Sequence, residues 1–159
     1  MTDERTGYAR LSSAASSSVL ALVVWGWFGW GGRIRNVNAD PTLRGGDYWG
    51  PMLLSTSFVL MGAVVAVLLW QRRQHPRSAR RAAALTVAVL VLAGWTTAVW
   101  VVRAGDIALG GDHPAGFIAV HVVLAAVSIG LSAWAVAMDR KVRSGEHTTA
   151  LTASQQTMS

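Results

Sequence analysis

Four blocks of this chain contain no Asp, Glu, Lys or Arg, and each is about as long as a helix that crosses a bilayer. They are LSSAASSSVLALVVWGWFGW from Leu11 to Trp30, PMLLSTSFVLMGAVVAVLLW from Pro51 to Trp70, AAALTVAVLVLAGWTTAVWVV from Ala82 to Val102, and GFIAVHVVLAAVSIGLSAWAVAM from Gly116 to Met138. At ~1.5 Å per residue, twenty positions cover about 30 Å, the thickness of the hydrocarbon core. Lipid offers no partner to a backbone N–H or C=O, so a spanning segment must satisfy its own, as a helix does. Barrel strands would alternate polar and apolar residues over about ten positions, and these runs do not alternate. The chain has 159 residues, 52% of them hydrophobic and 14% charged, too little polar surface for a soluble domain. The expected fold is therefore an all-α integral membrane protein with four transmembrane helices, residues 1–10 and 139–159 forming tails.

Basic residues set the expected orientation. Arg5 and Arg10, the connector residues Arg72, Arg73, Arg77, Arg80 and Arg81, and Arg140, Lys141 and Arg143 fall on one side of a four-span protein; Arg33, Arg35, Arg44 and Arg103 fall on the other. Ten against four places both termini in the cytoplasm by the positive-inside rule. The charge of +6 is thus topogenic, with anionic lipid contact as a by-product, and no nucleic-acid partner is expected. The N-terminal charges nearly cancel and no Ala-x-Ala-like site follows Trp30, so the first run is expected to be retained. Lys141 is the only lysine, which with the many Ala, Val, Leu and Gly residues points to a bacterium with a GC-rich genome and to its cytoplasmic membrane. Cysteine is absent, which excludes disulfides, thiolate metal sites and covalent c-type haem.

The segments between the runs carry their own expectations. About twenty residues separate the first two, and within them NVNADPTLRGGDYWGP is read as an outer re-entry loop with turns at Asp40-Pro41 and Gly45-Gly46. Its Asp40, Arg44, Asp47, Tyr48 and Trp49, with Arg35 just before, form a candidate partner-binding surface. Pro51 is expected at a helix start, where a missing N–H costs nothing. From Ser144 onward the chain is polar and Ser/Thr-rich, and is expected to be largely disordered.

Tryptophans cluster near the run ends. Trp25, Trp27, Trp30, Trp49 and Trp100 are expected at the outer interface and Trp70 at the inner one, as anchors; the alternative is an aromatic pocket for a quinone, a lipid or another flat ligand. His121 is the one classically ionisable residue inside a run. At about 100° per residue, Ser128 and Ser132 lie within about 20° of it and Asp139 nearly in line. This stripe is either a proton or solute path, with His121 titrating, or a packing face whose hydrogen bonds contribute about 0.6 kcal/mol each. His121 also lies close enough to the outer loop to reach Asp106 or Asp112. A bis-histidine haem lacks a second ligand within the spans, since His75, His113 and His147 are all outside them, and no metal or cofactor is expected. Phosphate loops, His-Glu-x-x-His and Gly-x-Ser-x-Gly are absent from the sequence.

Small residues four apart, Ser17 and Ala21, Gly62 and Ala66, Gly94 and Ala98, Ala126 and Gly130, make faces on which a helix can approach closely. Together these features lead to an expected non-catalytic accessory or scaffolding subunit of a larger membrane assembly, for example a respiratory-chain complex, surrounded by lipid and by other membrane subunits. A small homo-oligomeric transporter or channel using the His121 stripe is the competing reading. A membrane enzyme binding a lipid or quinone is the third.

Overall fold

The computed structural model describes residues 2–76, 78–110 and 113–156 and is all-helical over that extent apart from its links. Helix α1 covers Thr2–Ala39, α2 Gly45–Gln74, α3 Ala79–Leu109 and α4 Ala115–Gln156. Each holds a stretch long and apolar enough to cross a membrane: Leu11–Ala39, Gly45–Gln74, Ala79–Ile107 and Ala115–Gly145. Most of each stretch is left uncovered, and Val24, Phe28, Leu60, Val64, Val91, Val102 and Val123 form an apolar coat over all four helices. Buried inside are the hydroxyls of Ser18, Ser55, Thr86, Thr96, Ser128 and Ser132. Apolar groups outside and hydrogen-bonded small polar groups inside is the arrangement expected of helices in lipid, where hydrophobicity gives no drive to bury Leu or Val.

The four helices form a ring, with α1 against α2 and α4, and α3 against α2 and α4. Short connections make neighbours antiparallel: Trp27 meets Gly62, and one turn further along α1 Trp30 meets Phe58. One end of the ring carries the α1–α2 and α3–α4 links and is termed the link end; the other carries the α2–α3 connector. The core is densest toward the connector end, where Val19, Val23, Val65, Leu69, Leu85, Val89 and Ala135 are buried.

Three boundaries differ from the sequence expectation. The twenty-residue outer loop shrinks to residues 40–44, because α1 continues through GGRIRNVNA to Ala39. Nothing in that segment forbids helix until Pro41, which disfavours helical backbone at Asp40 before it. The link then turns on Asp40, whose Oδ1 accepts from the Thr42 hydroxyl at 2.6 Å and the Thr42 amide at 2.9 Å. Those two bonds hold the Asp40 carboxyl below the usual carboxylate range. Gly45-Gly46 opens α2 instead of forming a second turn, with Gly45 at φ +54°, a conformation open to glycine without strain. Consequently Pro51 lies inside α2, not at its start. It cannot donate to the carbonyl of Asp47, and its own carbonyl accepts from Ser55 Oγ at 2.7 Å. The third difference is the expected irregular tail, where α4 runs on through Ser144 to Gln156. Residues 139–156 contain no proline and one glycine, so no backbone breaker ends the helix. Arg77, in the connector, and Asp112, in the α3–α4 link, lie outside the described residues.

Of the glycines in the small-residue pairs, only Gly62 meets a neighbour tightly, and that neighbour is a side chain. A Cβ at Gly62 would lie 2.7 Å from Trp27 Nε1, which donates to the Val59 carbonyl at 3.1 Å. At Gly94 and Gly130 a Cβ would meet nothing within 4 Å. Gly62→Ala should displace the Trp27 indole and lose a bond worth about 1 kcal/mol, while gaining about 1 kcal/mol in helix propensity. The expected result is near-neutral stability for Gly62→Ala and a loss of ~1–3 kcal/mol for Gly62→Leu, where overpacking dominates. Unfolding in micelles titrated with a denaturing detergent measures both.

Candidate functional site

The link-end half of the ring is not filled. A cavity of about 940 Å³ lies between all four helices, at the upper end of the range for small-molecule sites. Its α1 wall follows one helical face, Leu22, Gly26, Gly29, Arg33 and Asn36, with Gly31 and Gly32 alongside. A Cβ at Gly26, Gly29, Gly31 or Gly32 would meet nothing within 4 Å, so these glycines leave open volume instead of admitting another helix. From Val23 at the floor to Arg33 near the mouth is ten residues, or about 15 Å of helix rise. The floor residues Leu22, Val23, Gly62, Leu92 and Ser128 lie close to the middle of the four apolar stretches.

Aromatic rings form much of the wall. Trp30 stacks on Phe58 with centroids 4.2 Å apart and planes 6° from parallel. Trp100 leans on Trp30 at 6.4 Å, and Trp95 on Phe58 at 6.2 Å. Trp25 donates from Nε1 to Ser128 Oγ at 2.9 Å, across from α1 to α4. Trp25, Trp30 and Trp100, expected as interface anchors, thus turn inward and line the cavity. For Trp25 the reason is that an indole N–H in an apolar medium needs an acceptor, and Ser128 supplies one inside the ring; Trp30 and Trp100 are placed by ring contacts with Phe58 and with each other. Trp27 is 39% exposed, but its N–H is spent on a mid-span carbonyl, which removes it from an anchoring role. Trp49 at 58% and Trp70 at 61% exposure are free to face an interface.

The mouth is cationic. Arg33, Arg35 and Arg103 all line the cavity, no Asp or Glu among the described residues does, and the charges of Arg33 and Arg103 oppose one another. Among the described residues none of these three arginines makes a salt bridge or a side-chain hydrogen bond. Neither Arg33 nor Arg103 stands out in the sequence except as a basic residue on the minority side of the charge count.

The polar stripe of α4 is divided. His121 and Ser128 line the cavity. His121 Nδ1 lies 2.8 Å from the Phe117 carbonyl, which can only accept, so Nδ1 carries the proton and a neutral ring leaves Nε2 as its acceptor. Its ring packs 4.0 Å from Phe117, which in turn meets His113 at 4.7 Å. Ser132 is buried below, donating to the Ser128 carbonyl at 2.8 Å. Val65, Val89 and Ala135 then close the core. Asp139 lies beyond them, buried near the connector end beside a pocket of about 160 Å³ that Arg72 and Arg73 also line. The Asp139 carboxylate accepts from Thr86 Oγ1 at 3.0 and 3.1 Å and pairs with Arg143 Nε at 3.3 Å.

Of the expected partner surface, only Arg35 reaches the cavity. Arg44 donates to the adjacent Leu43 carbonyl, and Asp47 lies in the first turn of α2, where a negative charge complements the helix dipole. Tyr48 donates to Asn38 Oδ1 at 2.8 Å, tying the start of α2 to the end of α1, and Trp49 packs edge-on against Tyr48. Among the described residues no three His, Asp or Glu side chains gather as metal ligands. No protein family, curated protein or solved structure matches this chain.

The Asp139 cluster is open to direct test. Thr86→Val removes the hydroxyl shared by both carboxylate oxygens and should cost ~1.5–3 kcal/mol, the range for a hydrogen bond to a charged group. The double variant Thr86→Val/Asp139→Leu should be more stable than Thr86→Val alone, because no buried charge is then left underpartnered. Unfolding midpoints of the two variants in micelles settle the order.

Proposed function

We propose that this chain is a multi-pass protein of the cytoplasmic membrane that binds an amphipathic ligand inside its own four-helix ring. The observation that carries this reading is the 940 Å³ aromatic-walled cavity with a glycine strip along α1. An apolar void of that size favours an apolar occupant over water, which needs two to four polar partners per molecule. Inside the cavity the polar groups are few, chiefly the Ser128–Trp25 pair, Thr96 and His121, as in sites that hold an apolar body and fix it at a small number of points. Binding, not catalysis, is the activity proposed, since the described residues of the lining offer no carboxylate to work with His121 as an acid–base pair.

The accessory-subunit reading keeps a second place on a separate observation. Gly94 and Ala98 on α3, and Ala126 and Gly130 on α4, are exposed on the outside of the ring, where small residues let another helix approach closely. A respiratory-chain complex is one host such a surface would suit. The transport reading is the less favoured, because Val65, Val89 and Ala135 separate the cavity from Asp139.

Gly29→Leu provides the test, as its side chain has room to enter the cavity without meeting a neighbour. In native mass spectrometry from a mild detergent, the wild-type chain should retain an adduct of lipid-like mass and Gly29→Leu should lose it at unchanged helicity. An adduct held equally by both would remove the cavity from the proposal. The same spectra separate the second reading, which requires a different protein chain in the complex. For orientation, the cysteine-free sequence allows single labels. With both termini cytoplasmic, Thr42→Cys should react with an impermeant thiol reagent on intact cells and His75→Cys only after lysis.

A further inference from the structure

Building on the ligand-binding reading, we infer that the occupant is a single-leaflet amphiphile with an oxyanion head, a phosphate or carboxylate, held at the mouth by Arg33 and Arg103. Two independent features meet there. Among the described residues, the mouth gathers Arg33, Arg35 and Arg103 with no acidic residue in the lining, and the three make no ion pair or side-chain hydrogen bond. Two guanidiniums that oppose each other in a partly desolvated site are relieved by an anion between them, and a guanidinium fork matches the oxygens of a phosphate or carboxylate. The second feature is depth. From the arginines to the floor the cavity drops about 15 Å, half of a hydrocarbon core of about 30 Å. An acyl or prenyl chain of one leaflet has that reach, with its head at the interface and its end at the midplane.

The geometry therefore divides the ligand. The oxyanion accepts from Arg33 and Arg103, with Arg35 contributing charge at the mouth. The chain lies along the glycine strip against Trp25, Trp30 and Trp100. A neutral ring such as a quinone would leave the arginines without a partner.

The test uses the full chain in nanodiscs of zwitterionic lipid. Quenching of tryptophan fluorescence is titrated with a chain-brominated alkyl phosphate, with the alcohol of the same brominated chain, and with inorganic phosphate as competitor. Gly29→Leu supplies the background from lipid-facing tryptophans. Wild-type protein should bind the alkyl phosphate at least tenfold more tightly than the alcohol. Arg33→Gln/Arg103→Gln should lose most of that preference while its affinity for the alcohol is unchanged, and the preference should shrink as salt is raised. Equal binding of phosphate and alcohol by the wild type would overturn the oxyanion head and leave the cavity reading standing. Displacement by inorganic phosphate at the concentration of the alkyl phosphate would also overturn it, in favour of a bare anion site. Saturable quenching by neither alkyl ligand would defeat the cavity reading itself. If the double variant misfolds, Arg103→Gln alone and the salt dependence of the wild type carry the decision.

Discussion

Side-chain volume is distributed unevenly along the inside of the ring, and most of the molecule follows from that. Toward the connector end, Val19, Val65, Leu69, Leu85, Val89 and Ala135 fill the space where the four helices meet. Toward the link end α1 offers Gly26, Gly29 and Gly32, and the bulk comes from indoles at the sides. The helices remain in contact because Trp30 and Phe58 stack between α1 and α2 and Trp25 reaches Ser128 on α4. These rings act as spacers, and spacers leave room between them. A sealed void of 940 Å³ at ~24 cal/mol per Å³ would cost about 20 kcal/mol, more than the ~5–15 kcal/mol net stability of a folded domain. The volume is open at its mouth, and its walls favour something apolar, which is what the proposed ligand would supply.

Polar groups inside the ring obey the same constraint. A hydroxyl or an indole N–H without a partner in this medium costs far more than the bond it makes contributes. Ser18, Ser55, Thr96 and Ser132 each donate to a carbonyl of their own helix, and so need no neighbour. Ser128 and Thr86 differ, since each joins a side chain on another helix. These two contacts lie at opposite ends of the core and fix α4 against α1 and against α3. Asp139 is held in place by Thr86 and Arg143, so the one buried acid among the described residues belongs to the packing of the ring.

What the sequence conveyed was the number of helices and their apolar character, because runs without charge leave no other solution in lipid. Helix ends were less legible: Pro41 marked a real break, whereas Pro51 and Gly45-Gly46 carried the letters of a boundary inside or at the start of α2. Trp25, Trp30 and Trp100 were misplaced for a physical reason. An indole is suited both to an interface and to a pocket, and the acceptor that decides for Trp25 is 103 positions away in the chain. The face shared by His121, Ser128 and Ser132 could be read from helical spacing. Its division could not, because the residues that close it, Val65 and Val89, come from α2 and α3 and carry no mark of their role. The glycine strip had a readable period on α1, but glycine at that spacing serves equally as a site for helix approach, and only the empty space beside it distinguishes the two.

The arginines that opposed the expected orientation acquire a reason in this frame. Four basic residues, Arg33, Arg35, Arg44 and Arg103, stand on the side that the charge count disfavours. Topology gives them no role, and a chain selected for insertion alone has no need to keep them there. Three of the four converge on the mouth of one cavity from two helices, α1 and α3, that touch mainly through their shared neighbours. Chance placement of four residues at a link end does not require that convergence, and a site that must hold an anion at interface depth does. The exception is Arg44, which is spent on the Leu43 carbonyl in the link. On the ligand-binding reading proposed above, the imbalance of the charge count is the sequence trace of that mouth, visible before folding as a departure from rule and after folding as a cluster.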